Sequence, residues 1–315
     1  MKNIIIFLFL LSVNAYSQLE LPKVEPGDEI VRHSAYTLKY NEKYEEADWV
    51  AYKLDKSLLI TNTPAKRNNA FKADPLVPTK SADSQDYSKS GYDRGHLCPS
   101  ADFKADQQLM DETFFMSNMT PMKHAFNAGI WEDLENRERK WATENQEIYV
   151  VTGPVLKDEP AEFIGHKNRV AVAKRFYKII LDYKEPELKM VAFVIPHDAE
   201  PGDISVYAMT VRDAERITGF DFFPGLPGDI ENKLETELDM GKWGLGTGAR
   251  KYATPKVETA MTPENNLNKP KPEDQTQAAV KDEKNLFYIV LGLGVVAVVV
   301  LGLVIFVGVR MNRRK

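Results

Sequence analysis

The chain has 315 residues, 43% hydrophobic and 28% charged, with 18 glycines, 18 prolines and one cysteine. This supports a good-sized globular domain with appendages and excludes a collagen-like or wholly disordered chain. The single Cys98 excludes an intrachain disulfide framework and any paired-cysteine zinc or redox site.

Taken in chain order, residues 1–17 combine Lys2, an apolar run from Ile4 to Leu11 and the small residues Ala15 and Ser17. This is the layout of a secretory signal peptide cleaved before Gln18, and no cysteine marks the site for lipidation. The segment from 18 to 248 forms the expected domain. Within it, β-branched and aromatic runs predict strands at 49–52, 114–116, 148–152, 176–181 and 190–195. Helices are expected over 127–145, 205–218 and 227–240. The pattern is α+β, and no glycine-rich nucleotide loop follows a strand. At roughly 100° per residue, Ile130, Leu134 and Trp141 form a buried stripe on the first helix. Asn127, Trp131, Glu135 and Arg139 recur every fourth position as a second stripe.

Residues 249–285 hold Pro255, Pro263, Pro270 and Pro272 among polar residues and read as a flexible linker. Residues 286–309 carry no charge, and at 1.5 Å per residue they reach about 36 Å, enough for a tilted transmembrane helix. The basic tail at 310–315 is expected to stay cytoplasmic. Both ends therefore place the domain outside the cytoplasm on a single-pass anchor, facing a periplasm or the medium. The composition and the cleavage region suggest a bacterial source. A homodimer is compatible with the sequence, but no feature supports one, and no protein partner can be inferred.

The formal net charge is −5. The two ends hold five of the 41 basic residues and no acidic ones, which leaves the external part with 36 basic against 46 acidic groups, a net of −10. A broad electrostatic grip on a polyanion demands the opposite sign, so any such partner needs a local basic patch.

The segment Gly91-Tyr-Asp-Arg-Gly-His-Leu-Cys-Pro-Ser-Ala-Asp-Phe103 resembles the DNA/RNA non-specific endonucleases, a ββα-metal family. The resemblance continues in family order through Phe115-Met-Ser-Asn-Met-Thr-Pro121, Asn127-Ala-Gly-Ile-Trp-Glu-Asp-Leu-Glu135, Phe176-Tyr-Lys178, Ala192-Phe-Val-Ile-Pro196 and Thr218-Gly-Phe-Asp-Phe-Phe-Pro224. Four residues of DRGH alone are a weak signal, whereas six ordered blocks over about two-thirds of the chain are strong. The resemblance implies a central, mainly antiparallel sheet flanked by helices. It also implies a metal-dependent endonuclease acting on DNA and/or RNA, with Mg²⁺ as cofactor or Mn²⁺ or another divalent cation in its place.

Phosphodiester hydrolysis needs an activated water, charge neutralisation and a stabilised leaving oxygen. The resemblance assigns His96 as general base, and an imidazole suits that task. It assigns Asn127 as the metal ligand, although an isolated Asn before a helix is also a common N-cap. Glu135 would hold metal-bound water. Arg94, Arg139 and the more loosely matched Arg67 are the phosphate contacts, since a guanidinium can clamp two oxygens. The residues alone leave Glu135 and Arg139 as an i,i+4 ion pair, and Arg94 as a partner of Asp93. Lys66, Lys72, Arg137 and Lys140 are further candidates for the basic patch.

Asn118 either borders the site or bonds buried backbone, and its glycosylation sequon falls in a segment expected to be buried. Cys98 reads as a small buried thiol. His33, His124, His166 and His197 show no zinc spacing. A competing reading is a membrane-tethered nucleic-acid-binding module that keeps the fold without the chemistry; a broken set of site residues would mark it. An enzyme acting on another phosphodiester has no positive sign in the sequence.

Overall fold

The computed structural model describes residues 18–158 and 160–246. The expected signal peptide (1–17), linker (249–285), spanning helix (286–309) and basic tail (310–315) lie outside the described residues. Among the described residues no helix is long and apolar enough to cross a membrane.

The strands are β1 (Glu29–Arg32), β2 (Thr37–Asn41), β3 (Glu46–Asp55), β4 (Asp93–His96), β5 (Met119–Met122), β6 (Glu147–Pro154), β7 (Glu162–Ile164), β8 (Val170–Val172), β9 (Arg175–Asp182), β10 (Lys189–Pro196) and β11 (Ala208–Met209). The helices are α1 (Lys56–Leu59), α2 (Gln107–Glu112), α3 (His124–Phe126), α4 (Glu132–Asn145), α5 (Val211–Thr218) and α6 (Gly228–Thr236). Seven strands form one sheet in the order β1-β2-β3-β6-β9-β10-β11, and every neighbouring pair is antiparallel.

Side chains alternate across a strand, so the buried central strands feed two layers. On one face Tyr52, Val150, Phe176, Ile180, Phe193 and Ile195 pack with Phe103, Phe126, Leu134 and Trp141. On the other, Trp49, Val151, Tyr177, Ile179 and Val194 pack with Val211 and Ala214 of α5 and Leu234 of α6. The first layer carries the DRGH strand and α4. Ile130, Leu134 and Trp141 are all buried, as the 100° spacing requires, and each contributes about 1.5–3 kcal/mol relative to exposure.

The strands at 49–52, 148–152, 176–181 and 190–195 are present, each longer than its sequence signal. Residues 114–116 are not a strand. They form a turn and the start of a 3-10 turn at Met116–Asn118, and strand β5 begins only at Met119. Phe115 makes a single parallel bridge to Lys72, whose N–H donates to the Phe114 carbonyl and whose carbonyl accepts the Met116 N–H. The chain then tightens into the 3-10 turn, where the Asn118 carboxamide bonds the Cys98 N–H and the Cys98 and Thr113 carbonyls at 2.9 Å each. The helix expected over 205–218 begins at Val211 instead. Thr210 caps it by accepting the Asp213 N–H, and residues 204–209 form a 3-10 turn and strand β11. The helix expected over 227–240 is shorter, as α6.

The helix expected over 127–145 is broken near its start. Asn127–Trp131 is a π turn in which Gly129 has φ −118° and ψ −114°, and α4 runs on from Glu132. A glycine adopts such torsions without a side-chain clash, and π turns recur at functional sites. Glu132, Asp133 and Glu135 in the first turn of α4 suit the positive end of its dipole.

Candidate active site

Strands β4 and β5 pair antiparallel, with Asp93 opposite Met122 and His96 opposite Met119. The chain then turns through α3 and the π turn into α4, so two strands and a helix frame one site. Gly95, between Arg94 and His96, leaves room for the Met122 side chain, which occupies the place a Cβ would take.

The frame encloses a cavity of about 240 Å³. Its lining brings together all six residues singled out by sequence: Arg67, Arg94, His96, Asn127, Glu135 and Arg139. Ser100 and Glu132 line it as well. Arg137 and Lys140 do not. They line a separate cleft with Asp133, Asn136 and Asp203, and Lys66 and Lys72 are also outside the cavity lining. The local basic patch therefore consists of three arginines, concentrated where the chain's overall charge is unhelpful.

His96 is 8% exposed, and its Nε2 is buried without a hydrogen-bond partner. Burial and the nearby Arg67 charge hold its pKa down to about 3, so the imidazole is neutral at ordinary pH. Phe114 stands edge-on to it at 5.1 Å and Phe71 lies 5.9 Å away. The same two rings sit under the cations, Arg67 over Phe114 and Arg94 over Phe71, each at 5.2 Å.

Each arginine is anchored by its own set of partners. Arg67 donates to Ser100 Oγ at 2.9 Å and to Asn69 Oδ1 at 2.7 Å. Arg94 donates to the Ser84 carbonyl at 2.9 Å, so its partner is that carbonyl and two rings rather than Asp93. Arg139 donates to buried Asp102 at 2.9 Å and to Asn136 at 2.8 Å. Its approach to Glu135 is longer, 4.0 Å, so the i,i+4 pair is secondary. Burial raises the pKa of Glu135 to about 7 against the opposing charges of Lys178 and Arg139.

Asn127 has helical torsions and no side-chain cap role. Its Nδ2 donates to Asp93 Oδ2 at 3.0 Å. A carboxylate only accepts, so the amide nitrogen is committed to Asp93 and Oδ1 is the end left for a ligand. His124 Nδ1 lies 2.8 Å from the same carboxylate oxygen. Glu135 and Glu132 in the same cavity add carboxylate oxygens to the Asn127 amide oxygen, a donor set that fits a hard divalent cation such as Mg²⁺.

Asn118 is fully buried and spends its side chain on backbone, which also places its sequon away from solvent. Cys98 is buried and its thiol pKa is raised, with desolvation the leading cause. Sequence reasoning missed Asp93 as the orienter of Asn127, Asp102 as the anchor of Arg139, and the aromatic pair Phe71 and Phe114. Phe71 sits in the segment read for Arg67, but the cation it carries is the distant Arg94, so no local spacing marks it.

A family model described as DNA/RNA non-specific endonuclease matches residues 21–229. The mitochondrial nuclease EXOG of Danio rerio is 33% identical over 247 residues, covering 72% of this chain and 71% of its own. A nuclease of Nostoc sp. is 31% identical over 230 residues, covering 69% and 81%. Among solved structures, a chain of the EndoG/EndoGI complex superposes with a TM-score of 0.61 at 30% identity, covering 67% of this chain and 90% of that one.

Proposed function

The chain belongs to the DNA/RNA non-specific endonuclease family, and on that premise we propose that it is a metal-dependent endonuclease hydrolysing phosphodiester bonds of DNA and/or RNA at the cavity around His96. The observation that carries the reading is the imidazole of His96, its Nε2 without a protein partner, in one cavity with three arginines and Asn127. His96 takes a proton from water as the water oxygen bonds to phosphorus. The bond to the 3′ oxygen breaks and that oxygen takes a proton from solvent, leaving a 5′-phosphate and a 3′-hydroxyl. Arg94, Arg139 and Arg67 offer N–H groups to the phosphate oxygens, and their protein anchors fix where that charge is placed. Asn127 Oδ1 would hold the divalent cation, with Glu135 orienting water around it. When bound, the cation neutralises negative charge on the phosphate and leaving oxygen. Contacts to the backbone carry no sequence information, so base preference is expected to be weak.

We propose further that the domain faces outward on a single-pass membrane anchor, a reading supported by the residue patterns at 1–17 and 286–315.

The test is cleavage of supercoiled plasmid and structured RNA with Mg²⁺ or with EDTA, the His96→Ala variant alongside. Metal-dependent cleavage reduced by at least about a hundredfold in the variant is the expected result. Near-normal cleavage by the variant would remove His96 as base. Binding without cleavage under any divalent metal would overturn the enzymatic reading in favour of a binding module.

A further inference from the structure

His197 follows β10 and is buried, with Phe126 and Phe176 edge-on to its ring at 5.3 and 5.0 Å. It is outside the active-site lining, yet both its nitrogens are committed. Nδ1 lies 2.9 Å from the Ala173 carbonyl, which can only accept, so Nδ1 carries the proton. Nε2 lies 2.7 Å from the Lys123 backbone N–H, which can only donate, so Nε2 is bare. The partners thus fix a single neutral tautomer. Burial, the largest influence, pushes this imidazole down to about 4, in keeping with that assignment.

The far end of this link is the turn that carries Asn127. The Lys123 carbonyl accepts the Phe126 N–H at 3.0 Å and the Asn127 N–H at 2.9 Å. Lys123 is therefore held on its N–H side by the imidazole, and on its carbonyl side it starts the turn that presents Asn127. The Asn127 side chain has a second tether, Asp93. One anchor sets the backbone and the other sets the amide.

We propose that His197 is a positioning residue for the cation site: through Lys123 it ties the Asn127 turn to the end of the central sheet, and so sets the affinity for a divalent cation. The inference rests on the reading of Asn127 as the cation's ligand. Outer contacts of this kind typically change metal affinity by about 10- to 100-fold when removed.

The experiment uses the full chain in detergent and three variants, His197→Phe, His197→Gln and Asn127→Ala. Direct Mn²⁺ binding is followed by electron paramagnetic resonance, and hydrogen–deuterium exchange is followed over residues 119–127. Phe keeps the ring packing and removes both hydrogen bonds, whereas the Gln amide oxygen can still accept the Lys123 N–H. The expected result is Mn²⁺ affinity at least about tenfold weaker in His197→Phe, with faster exchange at 119–127 and partial recovery in His197→Gln. If His197→Phe does not fold, an intermediate loss in His197→Gln supports the same conclusion. Unchanged Mn²⁺ affinity in folded His197 variants, with only a lower melting temperature, would overturn the inference while Asn127→Ala still lost binding. Unchanged Mn²⁺ binding in Asn127→Ala would overturn the metal reading itself, and this inference with it.

Discussion

Strand β9 sends alternate side chains into two layers that handle burial in different ways. Tyr177, Ile179 and Leu181 enter the layer under α5 and α6, where the sheet face is otherwise Trp49, Val151, Ala192 and Val194. Lys178, between Phe176 and Ile180 in sequence, enters the layer beneath α4 and is completely buried. There its ammonium lies 2.7 Å from Glu138, which also accepts the Tyr52 hydroxyl at 2.6 Å, and 5.2 Å from the Trp131 ring. Trp131 in turn donates its indole N–H to the His96 carbonyl at 3.3 Å. Asp102 and Arg139 add a second ion pair in the same layer. One layer is held by apolar area; the other accepts the desolvation cost of charges and places them behind the cavity. A buried ion pair gives little stability over an apolar replacement, so stability alone does not explain this polar layer. Its contacts reach the site.

The largest stability effect should come from splitting the buried pair. Lys178→Met leaves buried Glu138 without its counter-ion and is expected to cost about 3–5 kcal/mol by denaturant unfolding. Combining it with Glu138→Leu should return most of that loss, because no lone charge remains; failure to recover would show that the pair itself stabilises the fold. On the apolar side, Ile179→Val should cost about 0.5–1.5 kcal/mol with kcat unchanged. A fall in kcat there would erase the distinction between the layers. The smallest effect is a pH dependence at the rim of the apolar layer. Glu235 is raised to about 8, chiefly by burial and then by Glu215, despite its ion pair with Arg212. A carboxyl raised in the fold favours the native state while protonated, so that stability is present below about 4.5 and is lost as pH rises through about 8. Glu235→Gln cannot ionise, so the stability difference between variant and parent should move in the variant's favour across that window in EDTA. A flat difference would contradict the raised value.

Four strands of the main sheet, β3, β6, β9 and β10, were readable because their residues are buried on both faces and form continuous β-branched and aromatic runs; β1, β2 and the two-residue β11 lie toward its edges, carry no such run and were not read. The six cavity residues were readable because their chemistry is tied to short ordered blocks. The break at Gly129 was not, since the 3.6-residue pattern of apolar positions continues through it. Residues 114–116 have strand composition, but their ladder goes no further than one bridge between Phe115 and the distant Lys72. Asp93 and Asp102 were passed over because their importance comes from partners 34 and 37 positions away, Asn127 and Arg139. His197 carried no local signal for the same reason, its Lys123 contact spanning 74 positions.

The burial of Cys98, whose backbone is clasped by Asn118 and whose thiol pKa is raised by desolvation, has a practical use. The chain has no other cysteine, so in the folded protein a maleimide reagent meets no competing accessible thiol. A cysteine introduced at Lys140, whose side chain is 60% exposed on α4 and outside the active-site cavity, would take up a single dye or spin label. The native sequence thus already serves as a background for single-site labelling.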